Sequence, residues 1–352
     1  MTKEGKGGIQ KQRSWGEFLV RNAIYIVIIL LVIYTQIDST RKGSSNSFLS
    51  FSAIIDIIQR GAANLFLALG VGGIIVLTGT DLSAGRIMGL TACVCASLLQ
   101  KPLEVYSAKM FPELTAPSII LVLLLAMVIG GIFGIFNGFW VAKFKLHPFI
   151  VTLATQLIVY SLVLSYVQLG TNGGGPISGL TETYKNFVKG TINIGGTAVP
   201  HFVFYAVVAA VIMWFIWNKT TLGKNMYAVG ANPDAANVSG VSVLKTTIFV
   251  FMIAGLLYGL GGFVESARTG SNSASTGLNA ELDAITASVI GGVSFTGGTG
   301  KISGIITGVL LLQIISVSLQ WLGIPSNWTY LIKGFIILVA CAIDMRKYLQ
   351  KK

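Results

Sequence analysis

Few residues of this chain could do chemistry, and the densest group of them stands in VLTGTDLSAGR, residues 76–86. There a carboxylate at Asp81, a hydroxyl at Ser83, a flexible Gly85 and a guanidinium at Arg86 interrupt two almost wholly apolar runs. A carboxylate next to a proton donor can run acid/base catalysis if a substrate reaches both. The same residues could instead serve structure, with Asp81 paired to Arg86 or capping a helix that starts near Ser83. Ser294 and Thr296, in GGVSFTGGTG, make a second polar interruption. The usual enzyme constellations are missing: there is no zinc-type His/Cys spacing, no GxGxxG after a strand and no GxxxxGK[ST] phosphate loop. His147 and His201 stand at the edges of apolar runs, which fits capping better than catalysis. Without a nucleotide loop, active transport by this chain would draw on an ion gradient or on a separate ATPase.

One polar segment carries a helix signature. In NPDAANVSG, Asn232 is placed to cap, Pro233 fits the first helical position, Asp234 suits the first turn and Gly240 follows the end. The pattern predicts a short helix over 233–239. Ala235 and Ala236 are small enough for another protein to dock closely; a solvated turn is the other reading.

The elements that must position these residues are set by composition. Of the 352 residues, 53% are hydrophobic and 11% are charged, against about 25% charged in soluble domains. Mean hydropathy is +0.75. The expectation is one all-α polytopic membrane domain. A helix needs about 20 apolar residues to cross the hydrocarbon core, and on that basis the runs give about ten spans: 22–37, 58–79, 86–100, 118–142, 149–168, 201–218, 246–267, 280–293, 302–320 and 328–344. A basic cytoplasmic tail over 1–21 precedes an uncleaved first span, and the membrane domain covers 22–345. A short cytoplasmic tail, 346–352, closes the chain.

The formal charge of +12 could speak for nucleic acid, but the lysines and arginines flank apolar runs and so report topology. With the N-terminus inside, 16 of the 25 basic residues fall on the cytoplasmic side and eight outside, as positive-inside orientation requires. The segment 218–245 is then a cytoplasmic loop and the Gly- and Thr-rich 169–200 an external one. Within the spans, Gly130, Gly134 and Gly138, then Gly255 and Gly259, then Gly300, Gly304 and Gly308 recur every four residues, which lets helix backbones approach closely. GRIMG at 85–89 and GKISG at 300–304 form a weak internal echo of the kind transporter repeats leave. Cys93, Cys95 and Cys341 lie in apolar runs as reduced packing residues.

TGTDLSAGR, LGKNMYAVGANPDAANVSGV and ELDAITASVIGGVSFTGGTG together resemble the permease subunits of bacterial binding-protein-dependent ABC sugar importers, over nearly the whole chain beyond residue 20. Within that family they look most like the galactose/methyl-galactoside branch. The resemblance implies a type II importer-like fold in the inner membrane with both termini cytoplasmic. It also implies a homodimer of permeases, two ABC ATPase copies at the cytoplasmic face and a periplasmic sugar-binding protein. No cofactor is implied on this chain, since ATP and Mg would bind the ATPase. The family's coupling segment falls on 223–240, which makes Gly223, Asn232, Pro233, Ala235, Ala236 and Gly240 the candidates to face the ATPase. Asp81, Ser83, Gly85, Arg86, Ser294 and Thr296 are the candidates for the pathway or its hinges. The alternatives are an ion-coupled secondary carrier, a passive facilitator, or an ABC permease for ribose, another sugar, a nucleoside or a branched-chain amino acid.

Overall fold

Apolar segments surrounded by lipid must satisfy their backbone groups internally, and the long apolar runs of this chain are helices. The computed structural model describes residues 15–41 and 47–349. In order the elements are α1 (Trp15–Arg41), α2 (Phe51–Val76), α3 (Ala84–Leu98), α4 (Ile119–Phe144), α5 (Pro148–Val167), α6 (Glu182–Lys189), β1 (Thr191–Ile194) and β2 (Thr197–Pro200). They continue with α7 (His201–Lys219), α8 (Thr221–Ala231), α9 (Pro233–Val238), α10 (Val243–Thr269), α11 (Ala280–Ile290), α12 (Ile302–Trp321) and α13 (Ser326–Leu349).

Among the described residues six helices are long and apolar enough to cross a membrane: α2, α4, α5, α7, α10 and α12. Ten such spans are not reached. α3 and α11 have 15 and 11 residues, or roughly 22 and 16 Å at 1.5 Å per residue, short of the roughly 30 Å hydrocarbon core. Both stop short because each adjoins a helix break. α1 begins at Trp15, inside the stretch expected to be a tail, while the expectations for 1–14 and 350–352 and for the Cys341 side chain lie outside the described residues.

α2 and α10 form the centre. Phe66, Leu69, Val71, Ile74 and Ile75 of α2 have no exposure, and Phe251, Tyr258 and Phe263 of α10 have almost none. α4 instead exposes Leu121, Leu124, Val128 and Ile132 along one side, as a helix bordering lipid would. Its other side shows why the glycine ladders exist. A Cβ on Gly130 would lie 2.1 Å from the Gly255 carbonyl oxygen, and one on Gly255 2.1 Å from that of Gly130. α4 and α10 therefore touch backbone to backbone, which supplies the close dispersion contact that lipid cannot replace. Gly304 and Gly308 of α12 meet Gly291 and Ala287 in the same way. Gly300 precedes α12, so it belongs to a break and not to that ladder.

The Gly- and Thr-rich segment expected outside, 169–200, is ordered. It contains α6 and a hairpin in which Thr191 pairs with Pro200 and Ile194 with Thr197. Gly195 and Gly196, at φ +57 and +81, supply the two left-handed positions of the turn. Ile177 and Asn272 exchange backbone hydrogen bonds at 2.6 and 2.9 Å, and the buried Gln100 side chain bonds Ser178 O at 2.7 Å and Met110 N at 2.8 Å. These bonds tie the segment to the loops after α3 and α10.

Candidate translocation and coupling site

α2 ends at Val76, and the chain needs seven residues to restart as α3. Thr78 takes φ +65 there, an uncommon conformation for a β-branched residue, and the freed polar groups are satisfied in sequence. The Asp81 carboxylate is buried and accepts hydrogen bonds from Ser83 N at 2.8 Å and Ser83 Oγ at 2.6 Å. Ser83 Oγ accepts from Asn137 Nδ2 of α4 at 3.0 Å, and Asn137 Oδ1 accepts from Thr155 Oγ1 of α5 at 2.5 Å. Thr152 of α5 donates to Thr80 O at 3.2 Å and accepts from Leu82 N at 3.1 Å. The break is held by three neighbouring side chains, Asn137, Thr152 and Thr155, and within it Thr78 Oγ1 donates to Leu77 O at 2.6 Å.

Asp81 and Arg86 do not pair. Ser83 donates both of its bonds to Asp81 Oδ1, and Arg86 reaches away: Nη1 donates to Ala274 O at 2.9 Å, and the guanidinium lies 4.2 Å from the centre of the Tyr160 ring. A planar cation gains from an aromatic face as well as from a carbonyl, so Arg86 ties α3 to α5 and to the loop before α11. Gly85 serves a close approach. A Cβ there would lie 2.2 Å from Glu281 Oε2 and 2.3 Å from Gly277 O. Glu281 is 3% exposed, and its Oε2 has no hydrogen-bond partner. The buried Tyr258 hydroxyl lies within electrostatic reach of Asp81 without hydrogen-bonding geometry to it.

The second break runs from Gly291 to Lys301. Ser294 Oγ and Thr296 Oγ1 are 2.7 Å apart, and Thr296 N donates to Ser294 Oγ at 3.2 Å, so these hydroxyls brace their own turn. The two breaks meet, since Val76 O accepts from Gly298 N at 2.9 Å. α8 closes over the junction. Tyr227 Oη donates to Gly300 O at 2.9 Å. A Cβ on Gly230 would stand 1.9 Å from Val76 O and 2.8 Å from Gly298 N. From there Asn232 ends α8 and caps α9, its Oδ1 accepting from Ala235 N at 2.9 Å.

Residues 53–341 match the family model described as branched-chain amino acid transport system / permease component. That stretch holds both breaks and the α8–α9 pair. The chain belongs to this permease family. It is 40% identical over 346 residues to the galactose/methyl galactoside import permease protein of Haemophilus influenzae, covering 98% of this chain and 99% of the relative. With the protein of the same name from Escherichia coli the identity is 40% over 342 residues, covering 97% and 98%. The ribose import permease protein of Bacillus subtilis is 32% identical over 338 residues, covering 96% and 97%. No solved structure matches the chain.

In this permease the candidate coupling residues divide. Asn232, Pro233 and Ala235 are exposed on α9 beside Val238, which is 90% exposed, and Gly240, at φ +82, turns the chain toward α10. Ala236 is 5% exposed and faces inward. Gly223 is buried, and a Cβ on it would lie 2.2 Å from Trp217 O. Both are buried within this chain. The sequence reading missed Asn137, Thr152, Thr155, Tyr160 and Glu281. A lone Asn in the apolar run 119–144 was the available signal for the first of these. His147 caps α5 through Nδ1, which accepts from Phe149 N at 3.3 Å, and His201 opens α7 with Nδ1 3.3 Å from Phe187 O.

The chemistry open to this arrangement is limited. The Ser83 hydroxyl donates its hydrogen bond to Asp81 and has no exposure, so no substrate reaches it as a nucleophile. Among the described residues no three His, Cys, Asp or Glu side chains gather closely enough to hold a metal ion. What the site offers is two backbone breaks in contact with one short helix.

Proposed function

We propose that this permease is the membrane subunit of an ATP-driven importer for galactose or methyl galactoside, and that it does no covalent chemistry on the sugar. The observation that carries this reading is the 40% identity, over nearly the full length of both chains, to two permeases named for those sugars. Two copies would form the pathway in the bacterial inner membrane, in a type II arrangement of about ten membrane helices each, the short α3 and α11 counted among them, with both termini cytoplasmic. An ABC ATPase, which binds the ATP and Mg, would work from the cytoplasmic face, and an external sugar-binding protein would deliver the load.

The exposed face of α9 supports a docking role for Asn232, Pro233 and Ala235. The packing of Gly230 against Val76 and Gly298 supports transmission from there to both breaks. In this reading Asp81, Ser83, Gly85 and Arg86 hold the first hinge and Ser294 and Thr296 the second, and the sugar path runs beside them. A ligand shifts a conformational equilibrium only through different affinity for its states, so tight capture belongs to the binding protein. Buried Glu281, with one oxygen unpartnered, is the observation that favours an ion-coupled carrier, because such carriers keep buried acids as relays. Reconstitution in liposomes, leaving out one component at a time, tests the two readings against each other.

A further inference from the structure

Beside the α3 end of the first break, a cavity of about 190 Å³ opens among α2, α3, α10, α11 and α13. Its polar lining is Asn64, Glu265, Asn279, Asp283, Tyr330 and Lys333. Glu265 lies 22 residues beyond the start of α10, roughly 33 Å along the helix at 1.5 Å per residue. The cavity is thus at the end of α10 opposite the α8–α9 pair. Met88, one helical turn past Gly85, also lines it, so it adjoins the α3 side of the first break.

The charges in this lining are already matched. Lys333 Nζ donates to both oxygens of Asp283, at 2.8 and 3.0 Å, and Arg268 donates to both oxygens of Glu265, at 2.7 and 2.8 Å. The walls are therefore polar without presenting an unbalanced charge, which disfavours an ionic solute. Hydrogen-bonding capacity remains. The lysine has three donors, of which two are used, and a paired carboxylate keeps further lone pairs. Among the described residues the side-chain amides of Asn64 and Asn279 have no partner, and Asn279, at the cap position of α11, makes no side-chain capping bond. Tyr330 adds an aromatic face.

We propose that this cavity is a transit subsite for one neutral, polyhydroxylated monosaccharide, entered from the side opposite α9, with Asn64 and Asn279 bonding its hydroxyls. The assignment rests on the reading of the chain as a sugar permease. Its test uses the intact transporter, with ATPase and binding protein, carrying Leu278→Cys. Leu278 lines the cavity and is half exposed, so the variant leaves packing intact. A membrane-impermeant maleimide labels the new thiol, and bound galactose slows labelling by 1 + [L]/Kd, about threefold with sugar at twice its Kd. Sodium chloride at the same concentration gives no protection, and adding Asn64→Ala with Asn279→Gly abolishes the protection by galactose. Absence of protection in a transporter that still performs ATP-driven galactose uptake overturns the subsite and leaves the proposed function standing. Protection that survives the double variant removes the two amides from it. Absence of ATP-driven uptake from the unaltered transporter overturns the proposed function and the subsite with it.

Discussion

The carbonyl of Val76, the last residue of α2, accepts a hydrogen bond at 2.9 Å from the backbone N–H of Gly298, in the break that precedes α12. Two interruptions more than 200 residues apart in sequence are thereby one junction, and Gly230 of α8 sits directly on it. A push on α9 has a short route to both, through a helix pair with no side chain at its tightest contact.

Gly230→Ala tests that route. Its new methyl would stand 1.9 Å from Val76 O, so α8 must lift away from the junction. The expected outcome is an assembled complex that still hydrolyses ATP while sugar uptake falls at least about tenfold, the scale on which roughly 1.4 kcal/mol of lost coupling is read. Uptake per assembled complex within twofold of the unaltered protein contradicts the route.

Asp81 is expected to act through structure. Asp81→Ala leaves Ser83 N and Oγ without their acceptor in a buried place, a loss of about 1–3 kcal/mol, whereas Asp81→Asn keeps one oxygen and most of the stability. Thermal unfolding of the purified permease in detergent should rank the variants in that order. Equal stability of all three forms with lost uptake would move Asp81 into the sugar pathway instead.

Gly130→Ala and Gly255→Ala should each force α4 and α10 apart, because either methyl meets a backbone oxygen 2.1 Å away. Overpacking of this kind costs about 1–3 kcal/mol. The paired variants should be less than additive, since one separation relieves both clashes, and thermal midpoints of the two singles and the double check this.

In the segment between α5 and α7, Lys185 and then Lys101 hold the Glu182 carboxyl down to about 2, from an ordinary 4.5. A depressed acid contributes stability that is fully present above 4.5 and is lost as pH falls toward 2. Hydrogen exchange across α6, corrected for the intrinsic rate, should therefore be flat from pH 7 to 5 and rise only below 4.5. Glu182→Gln should abolish that rise.

How much of this was legible in the sequence depends on the interaction concerned. The helix over α9 followed from Asn232, Pro233 and Gly240, because caps are local and turn on residue type. The glycine ladders of α4 and α10 were legible for the same reason, their period being written in one segment. The partner of Asp81 was not: sequence proximity favoured Arg86, while the tertiary fold offered Arg86 a carbonyl 188 residues away and the ring of Tyr160. Ala236 was placed on the docking face because smallness suits docking as well as close packing, and Gly223 because the resembled family's coupling segment covers it; the fold buries both. α3 and α11 were already the short runs of the ten, 86–100 and 280–293, because apolar composition fixes roughly where a run lies while backbone geometry at the breaks decides where each helix starts and stops.

The central claim is that ATP hydrolysed on a separate chain drives sugar through this permease by way of α9 and the paired breaks. Uptake of labelled galactose into liposomes holding the permease, with ATPase and binding protein each supplied or withheld, measures it most directly. The account predicts concentrative uptake only when ATP, the ATPase and the loaded binding protein are all present. Uptake driven by a proton or sodium gradient across liposomes that hold the permease alone would contradict it.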